Sequence, residues 1–212
     1  MTRSDSLLAC SAGVMFSLVP FATAQADQVW PQTIGDMEHV MVSLDPDMQM
    51  IHVHAPHVSL PLRNFGESHF PPADVLDGEG YNDQYGWVAD GLIQLDPGHA
   101  IWIELLTQTP GLETYEGGMR MMKHEHTYAP LFTTAGSPAL WRWGGTMVHN
   151  WYAASTPGDY DATYRVFVGD ESGAPLPGYT PGEVTLHWTY VPEPSTIALL
   201  LIGVAGISAR RG

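Results

Sequence analysis

The chain has 212 residues, 23 acidic against 8 basic, ten histidines and a single cysteine, with a formal net charge of −15. A nucleic-acid binder needs clustered Lys and Arg to displace counterions, so this balance excludes nucleic acid as a partner and disfavours anionic membrane surfaces. The length suits one domain with a sufficient core, flanked by short segments of other composition.

The first of these is residues 1–26. Arg3 precedes an apolar region from about Leu7 to Ala22, and Ala22-Thr23-Ala24 or Ala24-Gln25-Ala26 supplies the small-x-small pattern of a signal-peptidase site. Leu7-Leu8-Ala9-Cys10 has the letters of a lipoprotein box, but most of the apolar region follows it. If Cys10 leaves with the signal peptide, the mature chain has no cysteine. Disulfides, thiolate metal sites and cysteine nucleophiles then drop out.

Residues 27–190 are predicted to form one all-β domain. All but two of the acidic residues (Asp5 and Glu193) fall here, with only Arg63, Arg120, Lys123, Arg142 and Arg165 against them. Val40, Val42 and Leu44 alternate with polar neighbours, and Asp45-Pro46-Asp47 turns the chain into a second alternating run at 48–54, a hairpin pattern. Residues 65–85, rich in Gly, Pro, Asp and Asn without periodicity, read as a long loop. Ile101, Ile103 and Leu105 mark a strand between Pro97-Gly98 and Pro110-Gly111, and a further strand is expected over 119–128. Tyr160, Ala162, Tyr164, Val166 and Val168 form a long period-two face, and Val184, Leu186, Trp188 and Tyr190 form another. Pro157-Gly158-Asp159-Tyr160 resembles the corner tyrosine of immunoglobulin-like domains, and the expected fold is a single antiparallel β-sandwich of that kind.

Two histidine groups are candidates for metal binding. On a strand, residues i and i+2 share a face, so His52 with His54, and His124 with His126, would each present two imidazoles. Adjacent strands would make a site of three or four nitrogens. Met50 and Met122 have the same parity as these histidines and favour copper, while zinc needs only histidine and carboxylate. The bland alternative is a solvated face. His39, His69, His99 and His187 stand alone and read as structural or exposed.

The run 141–168, with His149-Asn150-Trp151-Tyr152, Pro157-Gly158-Asp159-Tyr160 and Thr163-Tyr164, resembles the C-terminal half of bacterial surface domains called choice-of-anchor M. Gly86-Trp87 and the segment 101–105 fit its middle weakly, and His52-Val53-His54 matches its early His-x-His. The resemblance implies a surface-anchored domain, some of whose exported relatives are linked with zinc limitation. Aligning on Asn150-Trp151 puts Thr146 and Val148 where the family has two histidines, so that ligand pair does not carry over. His149 would join a metal site only through a bulge.

The rival binding surface is aromatic. Trp141, Trp143 and Trp151 lie close in sequence, and exposed aromatic faces dock on sugar rings, which suggests exopolysaccharide; as core residues they would instead fill the sandwich. For an enzyme there is little: no Gly-x-Ser-x-Gly, no His-Glu-x-x-His and no phosphate-binding glycine loop, so no catalytic residue is assigned.

Residues 191–212 carry the most specific signal. Val191 leads into Pro192-Glu193-Pro194-Ser195, an apolar stretch over 196–209 and a terminal Arg210-Arg211-Gly212. About 14 apolar residues make roughly 21 Å of helix, short of the ~20 residues that usually span a bilayer. The arginines would stay in the cytoplasm, leaving the domain outside. This three-part order resembles the PEP-CTERM sorting signal of Gram-negative bacteria. The resemblance implies a transient inner-membrane anchor cut near Pro194 and Ser195 by exosortase, with release or attachment at the cell surface or in the extracellular matrix. An ordinary tail anchor is the alternative.

Overall fold

A computed structural model describes residues 27–191. The predicted signal peptide and the apolar sorting helix lie outside these residues. Among the described residues, no helix is long and apolar enough to cross a membrane. In chain order the strands are β1 (Gln28–Val29), β2 (Glu38–Asp45), β3 (Met50–His54), β4 (Ser59–Leu62), β5 (Ser68–His69), β6 (Gly80–Asn82), β7 (Tyr85–Ala89), β8 (His99–Gln108), β9 (Glu113–Gly118), β10 (Pro130–Leu131), β11 (Leu140–Trp143), β12 (Val148–Ala154), β13 (Gly158–Asp170) and β14 (Gly182–Tyr190).

They build two large sheets. One runs β10-β9-β12-β7-β2-β3, with β6 also paired to β12; the other runs β11-β8-β13-β14-β4. The expected hairpin is β2–β3, in which Met41 opposes His54 and Ser43 opposes His52. Its turn is held by the Asp45 carboxylate, which accepts from the amides of Asp47 at 3.0 Å and Met48 at 2.9 Å. The sheets are mixed, a correction to the wholly antiparallel expectation: β2 pairs with β7, β14 with β4 and β1 with β5 in parallel. Each of these pairs joins strands distant in sequence, a relation that alternation within one strand cannot report.

The period-two faces meet between the sheets. Val40, Val42, Tyr85, Trp87, Tyr152 and Ala154 of the first pack against Ile101, Ile103, Tyr164, Val166, Leu186 and Trp188 of the second. Aromatic edges lock them together: Trp87 meets Tyr164 at 5.6 Å and Tyr85 meets Trp188 at 5.4 Å, both near perpendicular. Tyr160 is the third residue of β13, and its hydroxyl donates to the Thr156 carbonyl at 2.6 Å, the upstream bond expected of a corner tyrosine.

A second, smaller core covers the outer face of the first sheet and corrects the reading of 65–85 as a plain loop. Ala73, Leu76 and Tyr81 from that segment bury against Trp151 and Ala153 of β12, with Tyr115 and Tyr128. Strand β12 is therefore buried on both faces: Tyr152 and Ala154 point between the sheets, Trp151 and Ala153 away from them.

The strand expected over 119–128 is absent. After Gly118 the chain makes successive local turns, with the amides of Met122, Glu125 and His126 donating to the carbonyls of Met119, Met122 and Lys123, and a 3-10 turn at Lys123–Glu125. Arg120 is drawn inward instead of alternating outward. Its guanidinium holds the Asp83 carboxylate through two bonds of 3.2 Å and donates to the carbonyls of Ile34 at 2.6 Å and Gly35 at 3.0 Å. The inward bonds of Arg120 accompany turns where a strand was expected.

Candidate functional site

The predicted histidines occupy three unrelated environments. His52 and His54 are exposed on β3, at the edge of its sheet, with Ile51 buried between the sheets as expected. His124 is exposed on the 3-10 turn, its Nε2 3.6 Å from Glu125. His126 is buried and spent on the fold: its Nε2 donates to the Met119 carbonyl at 3.0 Å, and its Nδ1 accepts from the Trp151 indole at 2.9 Å. With no strand at 119–128, His124 and His126 share no face, and the imagined four-nitrogen site has no geometry. Among the described residues, no group of three or more His, Cys, Asp or Glu is placed to hold a metal.

His149 differs from the rest. It sits at the irregular β9–β12 pairing, where the register shifts between His149 and Trp151, and it is fully buried. Its Nδ1 lies 2.8 Å from the Asp83 carbonyl. A carbonyl can only accept, so Nδ1 carries the proton and Nε2 bears the lone pair. That Nε2 is buried with no partner. Burial pushes the His149 imidazole below its ordinary pKa, against the opposing influence of the Asp83 carbonyl bond. Neutral imidazole with a bare Nε2 is its resting form.

The residue missed from sequence is His39. Across β2, β7 and β12, His39 and His149 both pair with Gly86, one from each side. Their ring centroids stand 5.9 Å apart at 62°. The Nε2 of His39 is likewise buried without a partner. Gly86 keeps the space between them open, since a Cβ there would come within 2.4 Å of His149 Nε2. A signal for the orientation of His39 existed: Val40 and Val42 face the core, so His39 and Met41 face the other way. Its proximity to His149 had none.

The tryptophans divide differently from the carbohydrate expectation. Trp143 and Trp151 are buried, and Trp141 is partly buried against the main core. An aromatic pair stands elsewhere: Trp30 lies 5.7 Å from Phe70, which is 41% exposed, and 6.4 Å from His124.

On the outer face of the second sheet, Asp161, His187 and Ser59 line up across β13, β14 and β4. His187 Nδ1 is 2.5 Å from Asp161 Oδ1. Ser59 Oγ, however, is engaged with Thr189 Oγ1 at 2.8 Å, and Thr189 in turn donates to Asp159 at 2.8 Å. The row is a bonded polar surface in which the serine is turned to threonine.

A model of the PEP-CTERM protein-sorting motif matches residues 191–211. No curated protein is detectably similar in sequence. Among solved structures, the CooA pilin subunit from enterotoxigenic Escherichia coli is similar at 9% identity and a TM-score of 0.25, over 74% of this chain and 92% of that one. The chain carries the PEP-CTERM sorting signal of an exosortase-processed exported protein.

Proposed function

We propose that this chain is an exported protein of the cell surface or extracellular matrix of a Gram-negative bacterium, cut by exosortase at its Pro-Glu-Pro segment, whose domain has a non-enzymatic structural or binding role. The match over 191–211 carries this reading. Signal peptidase acts at the N-terminal segment, and the apolar stretch serves as a transient inner-membrane anchor until cleavage. The immunoglobulin-like form of the sandwich is supported by the Tyr160 to Thr156 bond. The test is mass analysis of the exported form in a host with exosortase: a product lacking Arg210 and Arg211 is expected, and a Pro192→Ala/Pro194→Ala chain should stay full-length in the membrane. An exported form that keeps both arginines overturns the reading.

The binding role has two finer forms. Zinc or copper binding by strand histidines is supported by the unpartnered Nε2 of His149, and no longer by His52, His54, His124 and His126 as one set. Exopolysaccharide association is supported by the half-buried Trp30 beside exposed Phe70, in place of Trp141, Trp143 and Trp151. Retardation in native gels containing the producing strain's polysaccharide should be lost in Trp30→Ala/Phe70→Ala; equal retardation of wild type and variant removes that form.

A further inference from the structure

We propose that His39 and His149 bind one Cu⁺ ion through their Nε2 atoms above Gly86, on the outer face of the first sheet, with the Met41 thioether as a third donor. The proposal deepens the metal-binding reading by naming the ligands and the ion.

The two imidazoles are brought together by register. Strand β7 lies between β2 and β12, and its residue at that level is glycine, so nothing separates the rings. Both Nε2 atoms are buried and unpartnered. A buried polar atom without a partner is costly, so two in one place ask for an occupant.

The spacing suits a shared ion. With a metal–nitrogen bond of ~2.0 Å and Nε2 ~1.1 Å from the ring centre, two rings on one ion have centroids ~5 Å apart at a tetrahedral angle and ~6.2 Å apart when linear. The observed 5.9 Å lies within that range. The hydrogen bond from His149 Nδ1 to the Asp83 carbonyl is the outer contact that metal-ligating histidines normally make, fixing the tautomer and the ring direction. Arg120 holds that carbonyl's residue in place. The same guanidinium grips the carbonyls of Ile34 and Gly35, just ahead of β2 and His39.

The choice of ion follows from the donors at hand. No third His, Cys, Asp or Glu completes a tetrahedral zinc set among the described residues. Met41 is two residues beyond His39 on the same side of β2, 36% exposed, and thioether sulfur selects Cu⁺.

The test titrates the full-length chain, purified in mild detergent and stripped with chelator, with Cu⁺ buffered by bicinchoninate under ascorbate. One equivalent per chain is expected. His39→Ala should weaken Cu⁺ binding by more than the ~10- to 100-fold typical of losing an outer contact. Met41→Leu should weaken Cu⁺ less and leave any Zn²⁺ affinity unchanged. Because His149→Ala could fail to fold, the half-buried His39 and exposed Met41 carry the test, with circular dichroism and thermal melting showing that each variant is folded. Cu⁺ uptake unchanged in folded His39→Ala overturns the site. Uptake lost only in His52→Ala/His54→Ala also overturns it, while the wider metal reading stands. If the wild-type chain takes up none of Cu⁺, Cu²⁺ or Zn²⁺, both readings fail.

Discussion

The indole of Trp151 donates to Nδ1 of His126 at 2.9 Å, tying a strand residue buried in the outer core to the turn that caps it. The other imidazole nitrogen is engaged by the Met119 carbonyl, so this histidine is neutral and committed to the fold. His124, two residues earlier, is exposed.

Replacing His126 by alanine leaves the buried indole N–H without an acceptor and removes a ring that packs beside the stacked pair Tyr128 and Trp151. A loss of about 2–4 kcal/mol is expected from the unpaired donor and the cavity together. His124→Ala should stay within ~0.5 kcal/mol, as surface changes do. Urea denaturation of the two variants separates them, and equal losses would contradict the assignment.

Arg120 is 8% exposed and Asp83 1%, so each is the buried counter-charge of the other. Arg120→Met strands the Asp83 carboxylate and should cost about 3–5 kcal/mol. Arg120→Lys should recover little, because one ammonium cannot replace the planar fork that serves Asp83, Ile34 and Gly35 together. Comparing the denaturation midpoints of the two variants checks this.

Stability should fall on mild acidification. Burial is the leading cause that lowers the pKa values of His126 and His149 in the folded chain below the ordinary histidine value. The unfolded chain therefore binds more protons between the two values. The stabilisation is present above the unfolded pKa of ~6.5 and is lost as pH drops from there through the folded values. A melting temperature that declines below about pH 6.5, with a smaller decline in His126→Gln, is expected; a flat profile between neutral pH and pH ~5 would count against it.

The Tyr160 hydroxyl anchors the start of β13 on the Thr156 carbonyl. Tyr160→Phe keeps the packing and loses this bond, at a cost of about 0.5–1.5 kcal/mol. Thr156→Ala keeps the carbonyl and should cost less. Thermal melts of the pair test whether the backbone bond, rather than the 2.9 Å contact between the two hydroxyls, holds the corner.

Alternation made several elements legible: β2, β3, β8, β13 and β14 each show their buried face within a few consecutive residues. A strand was also expected over 119–128, where Arg120 instead turns inward to reach Asp83. Alternation missed 65–85, whose apolar residues show no period because they are divided among the short strands β5 and β6 and a 3-10 turn, which together cover the outer face of another strand. For the candidate site, His149 was visible as an irregular residue before Asn150-Trp151. His39, facing outward beside Val40, carried no mark of what lay near it.

Acidity, the want of basic clusters and the sorting segment were determined by the sequence alone. These are properties of composition, or of a linear signal that export machinery reads without the domain's tertiary contacts. Only the tertiary structure decided which histidines are spent, which are free and which meet. His39 and His149 come within 5.9 Å because parallel β2 and antiparallel β12 flank the same glycine of β7. Strand order and register follow from burying apolar faces over the whole chain, and local periodicity carries no record of that outcome.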